Sequence, residues 1–466
     1  MGGTRKLDRD VRFIRLLWCD AAGVRRCRVV PRARFDYALR LGVGLASACM
    51  FLPAHADAPP PDPAASPVGE VRLVPDLSTL RPLPWNPSHA VVLTTLCTEV
   101  PTPWECCPRT ALARALRLLA AETGAQLVAG FEVEFTLLKQ QPSSVPSENA
   151  HRLDLVDALV LVPIDASVYC QSSAVDAAAP VLDAMCGALE AMGQTVEQVH
   201  GESAGGQFEI VTRHGPALAA ADALLLRKEA IAGVAHRHAM LASFLPKLFP
   251  SQAGNGCHCH LSLRGDGARA DAMADAARPH GLSELGERFV AGVLRHLPAL
   301  LAFVAPSPNS YRRIAPSSWA GAYTCWGWHN REAPLRVVGS PGQPGSVNCE
   351  LKPFDAAANP HLGLTAVVAA GILGVRAKLQ LPAPVDVDPA ALSEGEREER
   401  GIRRLPATLD AALRAAEGDA ALVAAMQEII GGEDLVRAYL AVKRSECAHF
   451  GGMSLEEEAC ALHSRY

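Results

Sequence analysis

The chain has 466 residues, 49% of them hydrophobic and 5% aromatic, with a formal net charge of −5. That length admits two or three domains, or a small domain beside a large one, and the apolar fraction supplies a sizeable core. No basic stripe is present, which argues against nucleic acid as the main partner.

The N-terminal residues 1–8 lack the apolar stretch of a secretory signal, and Lys6 stands where a myristoylation sequence needs Ser or Thr. The longest clean apolar run, 362–375, is too short to span a bilayer. A cytoplasmic protein without a membrane partner is expected. Residues 11–31 alternate as a hairpin that turns at Asp20-Ala21-Ala22-Gly23. Residues 53–69 are rich in Pro and Ala and are expected as a surface loop, with strands at 71–76 and 90–96. Pro108-Arg109-Thr110 opens a helix over 110–123, and Gly124 stands just past its end. The small domain is therefore 1–107 and the large one 108–466.

In the large domain the pattern predicts a strand over 127–138, a polar loop over 140–152, an extended segment at 155–163 and a helix over 174–192. A strand at 204–212 precedes a long helix, about 215–240, that carries Arg227, Lys228 and Glu229. Strand 257–263, loop 264–281 and a helix near 283–303 follow. Strands are expected at 323–328, 333–338 and 347–353, then an Ala-rich buried helix at 362–380. A Pro-rich, charged loop fills 382–401, and helices fill 406–445. The class is α+β, a mostly antiparallel sheet with helices on its outside.

Four of these strands set two polar or ligand-type side chains on alternate residues: Glu132/Glu134, Gln207/Glu209, His258/His260 and Glu350/Lys352. Residues i and i+2 of a strand share a face, so Val133, Phe208, Cys259 and Leu351 between them point to a core. One such pair is usually the wet face of an amphipathic strand. Four in one sheet concentrate negative charge that needs cations, and carboxylates with an imidazole suit Mg²⁺ or Mn²⁺ better than Zn²⁺. The fourteen cysteines include no Cys-x-x-Cys, and Cys257 and Cys259 alternate away from the histidines, so a zinc site is not expected.

At these motifs the chain resembles the glutamine synthetase family. The likeness runs through Gly130-Phe131-Glu132-Val133-Glu134-Phe135, Glu202-x₄-Gln207-x-Glu209, Gly254-x-Gly256-x-His258-x-His260-Leu261-Ser262, Asn309-Ser310-Tyr311-Arg312-Arg313 and Asn359-Pro360-His361-Leu362. The wording around Trp319 and Asn330-Arg331-Glu332-Ala333-Pro334-Leu335-Arg336 is similar to the branch found as the C-terminal part of plant nodulin-like and fungal developmental-regulator proteins. The amidohydrolase-like domain of some of those relatives is not expected here.

The resemblance implies a small N-terminal β-grasp domain and a catalytic domain on a curved antiparallel sheet, with two metals per site. It gives Glu134, Glu202 and Glu209 as ligands of one metal and Glu132, His258 and Glu350 as ligands of the other. Arg331 and Arg336, with Ser262, match nucleotide and phosphate contacts. Arg313, Gly254 and His260 match positions that hold a glutamate-type acid, and Arg313 and Arg331 are the catalytic arginines. Homo-oligomeric rings are implied, with the small domain reaching a neighbour's active site. The implied chemistry is transfer of the ATP γ-phosphate to a carboxylate and attack of an amine on the acyl phosphate.

Three positions depart from the pattern. Lys352 replaces an arginine and keeps the charge without the bidentate fork. Trp319 replaces a glutamate that helps bind ammonium. The stretch Gly42-Val43-Gly44-Leu45-Ala46-Ser47 lacks the aspartate that assists deprotonation of ammonium. The expected function is an ATP-dependent ligase that joins glutamate, or a similar acid, to an organic amine. The alternatives are an ammonia-using glutamine synthetase and a catalytically silent scaffold. Loop 382–401 has no tyrosine, so adenylylation there is not expected.

Overall fold

The computed structural model describes residues 9–144, 151–154, 159–265, 271–343 and 345–466. In the small sheet, Phe13–Cys19 pairs antiparallel with Arg25–Pro31 and parallel with His89–Glu99. His89–Glu99 then pairs with Glu70–Pro75, and Val43–Ala46 forms the far edge of the sheet. Alternation buries Ile14, Leu16, Leu73 and Val92 on the inside of the curl.

The hairpin turn is set by both domains. Asp20 accepts a hydrogen bond from the Val24 N–H at 2.9 Å and pairs with Arg26. Asn359 Nδ2 donates to the carbonyls of Cys19 at 3.0 Å and Asp20 at 3.1 Å, and Lys443 Nζ donates to the Ala22 carbonyl at 3.2 Å. Gly23 has φ 87°, and a Cβ there would lie 1.9 Å from the Ala357 carbonyl oxygen, so the close approach requires glycine.

A second junction joins the small domain to the helices. Arg109, in the first turn of the helix Pro108–Thr123, reaches Asp222 Oδ2 at 2.8 Å and Asp76 Oδ2 at 2.7 Å. His361 Nε2 lies 2.8 Å from Asp222 Oδ1. Burial alone would raise the Asp222 carboxyl, but His361 and Arg109 hold it below its usual range.

The large sheet is organised by one long strand, Gln126–Pro142. Its first half pairs with Cys259–Arg264 and its middle with Gln207–Thr212, so its partner changes near Phe131 and Glu132. Cys259–Arg264 continues to Asn348–Leu351 and then Leu335–Val338, and Trp326–Trp328 lies parallel at the edge. One face packs on Ala217–Arg237; Pro360–Arg376 lies among that helix, Pro108–Thr123 and Glu284–Val304 and is buried on nearly every side, as its apolar sequence requires. The other face is the polar one.

The architecture is α+β as expected, with local differences. The first long strand runs on to Pro142, into the expected loop 140–152, because Leu159–Pro163 pairs with it. Residues 145–150 and 155–158 of that expectation lie outside the described residues. The strand expected at 204–212 starts at Gln207, after a turn that reverses from Val196–Gly201. Segment 382–401 contains the helix Glu394–Glu399, started by a reciprocal cap between Ser393 and Glu396. Helix Asp434–Phe450 passes the expected limit, and Leu455–Leu462 adds another. Among the described residues no helix is long and apolar enough to cross a membrane.

Candidate functional site

The polar face of the large sheet lines a cavity of about 680 Å³. Strand register explains what it contains. Glu134 stands opposite Glu209, and Glu350 stands opposite both His260 and Arg336. Glu202 enters from the turn just after Val196–Gly201.

Two groups of metal-ligand type form, Glu132/His260/Glu350 and His200/Glu202/Glu209, each with donor atoms within 4.8 Å of one another. In the first, Glu132 Oε1 is 2.9 Å from His260 Nε2, and Glu132 Oε2 is 3.3 Å from His258 Nδ1. His258 Nδ1 is also 3.0 Å from Glu350 Oε1, and its Nε2 is 3.8 Å from Glu134 Oε1. His258 therefore stands against three of the expected carboxylate ligands. Backbone crowds in beside it: a Cβ on Gly256 would lie 2.5 Å from His258 Nε2 and 2.9 Å from Glu134 Oε1. In the second group, His200 Nε2 is 3.2 Å from Glu209 Oε1 and His200 Nδ1 is 3.6 Å from Glu202 Oε1.

The charges in this cavity are unevenly matched: against burial, His258 and His260 hold Glu132, and His258 and Lys352 hold Glu350, below the usual carboxylate range, while the other end is crowded. Burial, with Glu134 and Glu209 nearby, pushes the Glu202 carboxyl up to about 7. Burial also raises Glu209 against its hydrogen bond from His200. Burial and Lys352 press His258 down, yet its hydrogen bonds to Glu132 and Glu350 prevail and lift it to about 9. The hydrogen bond to Glu209 raises His200 to about 9. The imidazoles thus act as stand-in cations for a crowd of carboxylates.

Gln207 turns out to hold the scaffold. Its Nε2 donates to Glu134 Oε2 at 3.2 Å, the Gly254 carbonyl at 3.0 Å and Asn255 Oδ1 at 2.9 Å. Glu134 Oε2 also accepts the Gly256 N–H at 2.8 Å.

Cationic side chains line the rest of the cavity. Arg336 pairs with Glu350, and Lys352 Nζ lies 3.2 Å from Glu350 Oε1. Arg313 is buried and donates from Nη2 to the Pro353 carbonyl at 2.9 Å, while its buried Nε has no partner among the described residues. Arg331 lies with its guanidinium carbon 5.6 Å from the ring of Trp319, which is 54% exposed at the rim. Gly254 lines the same cavity.

His260 and Ser262 do not line this cavity. They border an adjoining one of about 210 Å³, reached across the Glu132–His260 contact, where His260 Nδ1 is 2.7 Å from Asn348 Oδ1 and Ser262 Oγ donates to the Val347 carbonyl at 3.0 Å. A larger groove of about 1030 Å³, bordered by Arg295, Arg400 and Arg403, lies apart from both and, among the described residues, holds no comparable cluster of metal-ligand side chains.

Sequence reasoning missed three residues. His200, near the end of Val196–Gly201, stands opposite Glu209 on the neighbouring strand, a pairing that spacing along one strand does not reveal. Tyr169 lines the cavity from a segment that carried no pattern. Glu332 accepts the Trp319 N–H at 3.0 Å, a contact made across a loop and invisible to spacing.

Comparison with known proteins gives consistent results. The family model described as the glutamine synthetase catalytic domain matches residues 105–460, and that of the glutamine synthetase N-terminal domain matches 4–104. A gamma-glutamylpolyamine synthetase of Streptomyces coelicolor, GlnA3, is 36% identical over 454 residues, covering 97% of this chain and 93% of that protein. Protein fluG of Emericella nidulans is 32% identical over 98% of this chain, which spans 49% of fluG. Among solved structures, a complex of GmaS with ADP aligns with a TM-score of 0.79 and 28% identity, over 96% of each chain.

Proposed function

The chain belongs to the glutamine synthetase family and is an ATP-dependent acid–amine ligase, and within that frame we propose that it joins glutamate to an organic amine, a polyamine or alkylamine, in preference to ammonium. The observation that carries this reading is Trp319. Where the family pattern has a carboxylate for ammonium, the rim presents an indole that is 54% exposed, an apolar wall suited to methylene groups and able to take a cation on its face. The likeness to a gamma-glutamylpolyamine synthetase over 97% of the chain supports it.

The donor set fits two hard divalent cations. By the family resemblance Glu134, Glu202 and Glu209 would hold one, and Glu132, His258 and Glu350 the other, whereas the ligand atoms that cluster most tightly put His200 in place of Glu134 and His260 in place of His258. Bound Mg²⁺ or Mn²⁺ would supply neutralisation of phosphate charge. The chain's own residues do the positioning. Arg331 and Arg336, in the main cavity, would meet the phosphates, and Ser262 would meet the nucleotide from the side cavity, where His260, expected to hold the acid, also lies. Arg313 and the neighbouring Gly254, which line the same cavity, would receive the α-carboxylate end of the acid. A γ-carboxylate oxygen bonds to the γ-phosphorus as ADP leaves. The free-base amine then attacks the acyl carbon, phosphate leaves, and the amine loses a proton. Lys352 offers a point charge to these anions rather than a fork.

Val43–Ala46, the edge of the small sheet, would approach the catalytic sheet of a second copy in a homo-oligomer, which light scattering can test. A fully active monomer at micromolar concentration would contradict that arrangement.

The ammonia-using alternative draws on Glu332, which brings a carboxylate to the Trp319 loop, but its Oε1 is already engaged by the Trp319 N–H. A silent scaffold would have no need of the full set of ligand-type side chains. The deciding experiment is ADP release with glutamate present, across ammonium, hydroxylamine, monoamines and polyamines. Turnover highest with a polyamine or alkylamine is expected. Efficient glutamine formation at sub-millimolar ammonium would overturn the proposal, and no turnover with any amine would favour the scaffold.

A further inference from the structure

The loop after Arg313 carries two side-chained residues in the left-handed backbone region, Ser317 at φ 53° and Trp319 at φ 56°. Such residues adopt it only where their surroundings impose it. Within the loop Ser318 Oγ donates to the Ala315 carbonyl, and two contacts hold the loop from outside. Glu332 Oε1 accepts the Trp319 N–H at 3.0 Å, and Ser317 Oγ donates to Asp388 Oδ2 at 2.9 Å.

Glu332 is itself held in place. Its N–H donates to Asn330 Oδ1 at 3.0 Å, and Asn330 Nδ2 donates to the carbonyls of Val385 at 2.7 Å and Val387 at 3.0 Å. The turn 330–332 is therefore pinned to the segment that also holds Ser317. Glu332 is half-buried, and no ion pair ties its carboxylate to a Lys, Arg or His among the described residues. Its carboxylate is committed to the backbone of the loop, to the N–H of Trp319 and, more weakly, that of Ser318, rather than to a counter-ion in ion-pair contact.

Arg331 is the residue between these two contacts. It is exposed and has no carboxylate partner within ion-pair distance among the described residues, and its guanidinium carbon sits 5.6 Å from the Trp319 ring. An arginine without a carboxylate partner at the rim of a cavity needs some other surface to fix its direction, and an aromatic face is one.

We propose that Glu332 is a positioning residue: by accepting the Trp319 N–H it fixes the indole, and the indole in turn fixes the Arg331 guanidinium and the wall that the amine meets. The kinetic half of this rests on the function proposed above, which assigns Arg331 to phosphate and Trp319 to the acceptor. The structural half does not.

The test uses the full chain with Glu332→Ala and Glu332→Gln. Gln keeps an acceptor oxygen without the charge. Trp319 is the most exposed of the six tryptophans, so acrylamide quenching of intrinsic fluorescence reports chiefly on its loop. In Glu332→Ala the quenching should rise and KM for the best amine should rise on the order of ten-fold, with a smaller change in KM for glutamate. In Glu332→Gln both should stay near wild type. Equal loss in the two variants overturns the proposal, because charge rather than the acceptor would then matter. Wild-type quenching and amine KM in Glu332→Ala overturn it as well. Should the protein turn over no amine, the proposed function fails, and the quenching contrast between Ala and Gln alone decides the positioning role.

Discussion

The domain junction and the catalytic cavity are both clusters of buried charge, yet they are built on opposite terms. At the junction Asp222 and Asp76 face Arg109 and His361 at 2.7–2.8 Å, and both carboxyls are held below their usual range. In the cavity Glu134, Glu202 and Glu209 crowd together, and Glu202 is driven up to about 7 by burial and by its neighbours. The first cluster is complete within the chain. The second is uneven: against burial, Glu132 and Glu350 are held low by His258, His260 and Lys352, while the end formed by Glu134, Glu202 and Glu209 is short of positive charge, and in this fold that end marks where a cation belongs.

The sharpest way to break this contrast is to remove one carboxylate from each cluster. Glu202→Gln relieves like-charge crowding, so stability should hold or rise slightly in urea melts. Metal-dependent nucleotide binding should collapse and ADP release should fall on the order of 10²–10³-fold. A variant that instead unfolds, or that binds nucleotide with metal as before, would erase the distinction.

Asp222→Asn should do the reverse. It leaves Arg109 and His361 buried against an uncharged partner, which costs about 3 kcal/mol of unfolding free energy in denaturant titration while the amine preference is unchanged. Stability equal to wild type would show that the junction is not a matched set.

These two clusters were not equally legible in the sequence. The cavity's Glu132/Glu134, His258/His260 and Glu350/Lys352 announce themselves by strand alternation, a local signal that survives without knowledge of pairing. Arg109, Asp222 and His361 lie far apart on three helices, and no local period links them. The turn 330–332 and its hold on Trp319 escaped for the same reason. The helix at Glu394–Glu399 was missed differently: its Ser-x-x-Glu start was present, but the surrounding prolines and charges read as loop.

A smaller effect sharpens the reading of the rim. Trp319→Glu returns a carboxylate to the loop and should move preference towards ammonium on the order of ten-fold, measured as the ratio of kcat/KM for ammonium to that for the best amine. An unchanged ratio would assign acceptor choice to other residues.

The mildest expected effect is in acid. The folded Asp222 and Asp76 carboxyls lie below the unfolded value of about 3.9. Their contribution is therefore present above that value and is lost as pH falls through the lower folded values. Wild type should lose stability down that limb more steeply than Asp222→Asn, as thermal melts at stepped pH would show. Parallel limbs would count against the junction as the source.

The hairpin turn at Asp20–Gly23 has a consequence for how the chain is made. Its carbonyls are closed by Asn359, Lys443 and Tyr466, the last reaching the Ala22 carbonyl at 3.3 Å from 444 residues further along. At roughly 5–20 residues per second of synthesis, the turn waits about 20–90 s for its last donor to be made. During that interval the turn lacks its C-terminal donors, so nascent chains stalled before Lys443 should show a protease-sensitive first hairpin that becomes protected when synthesis resumes.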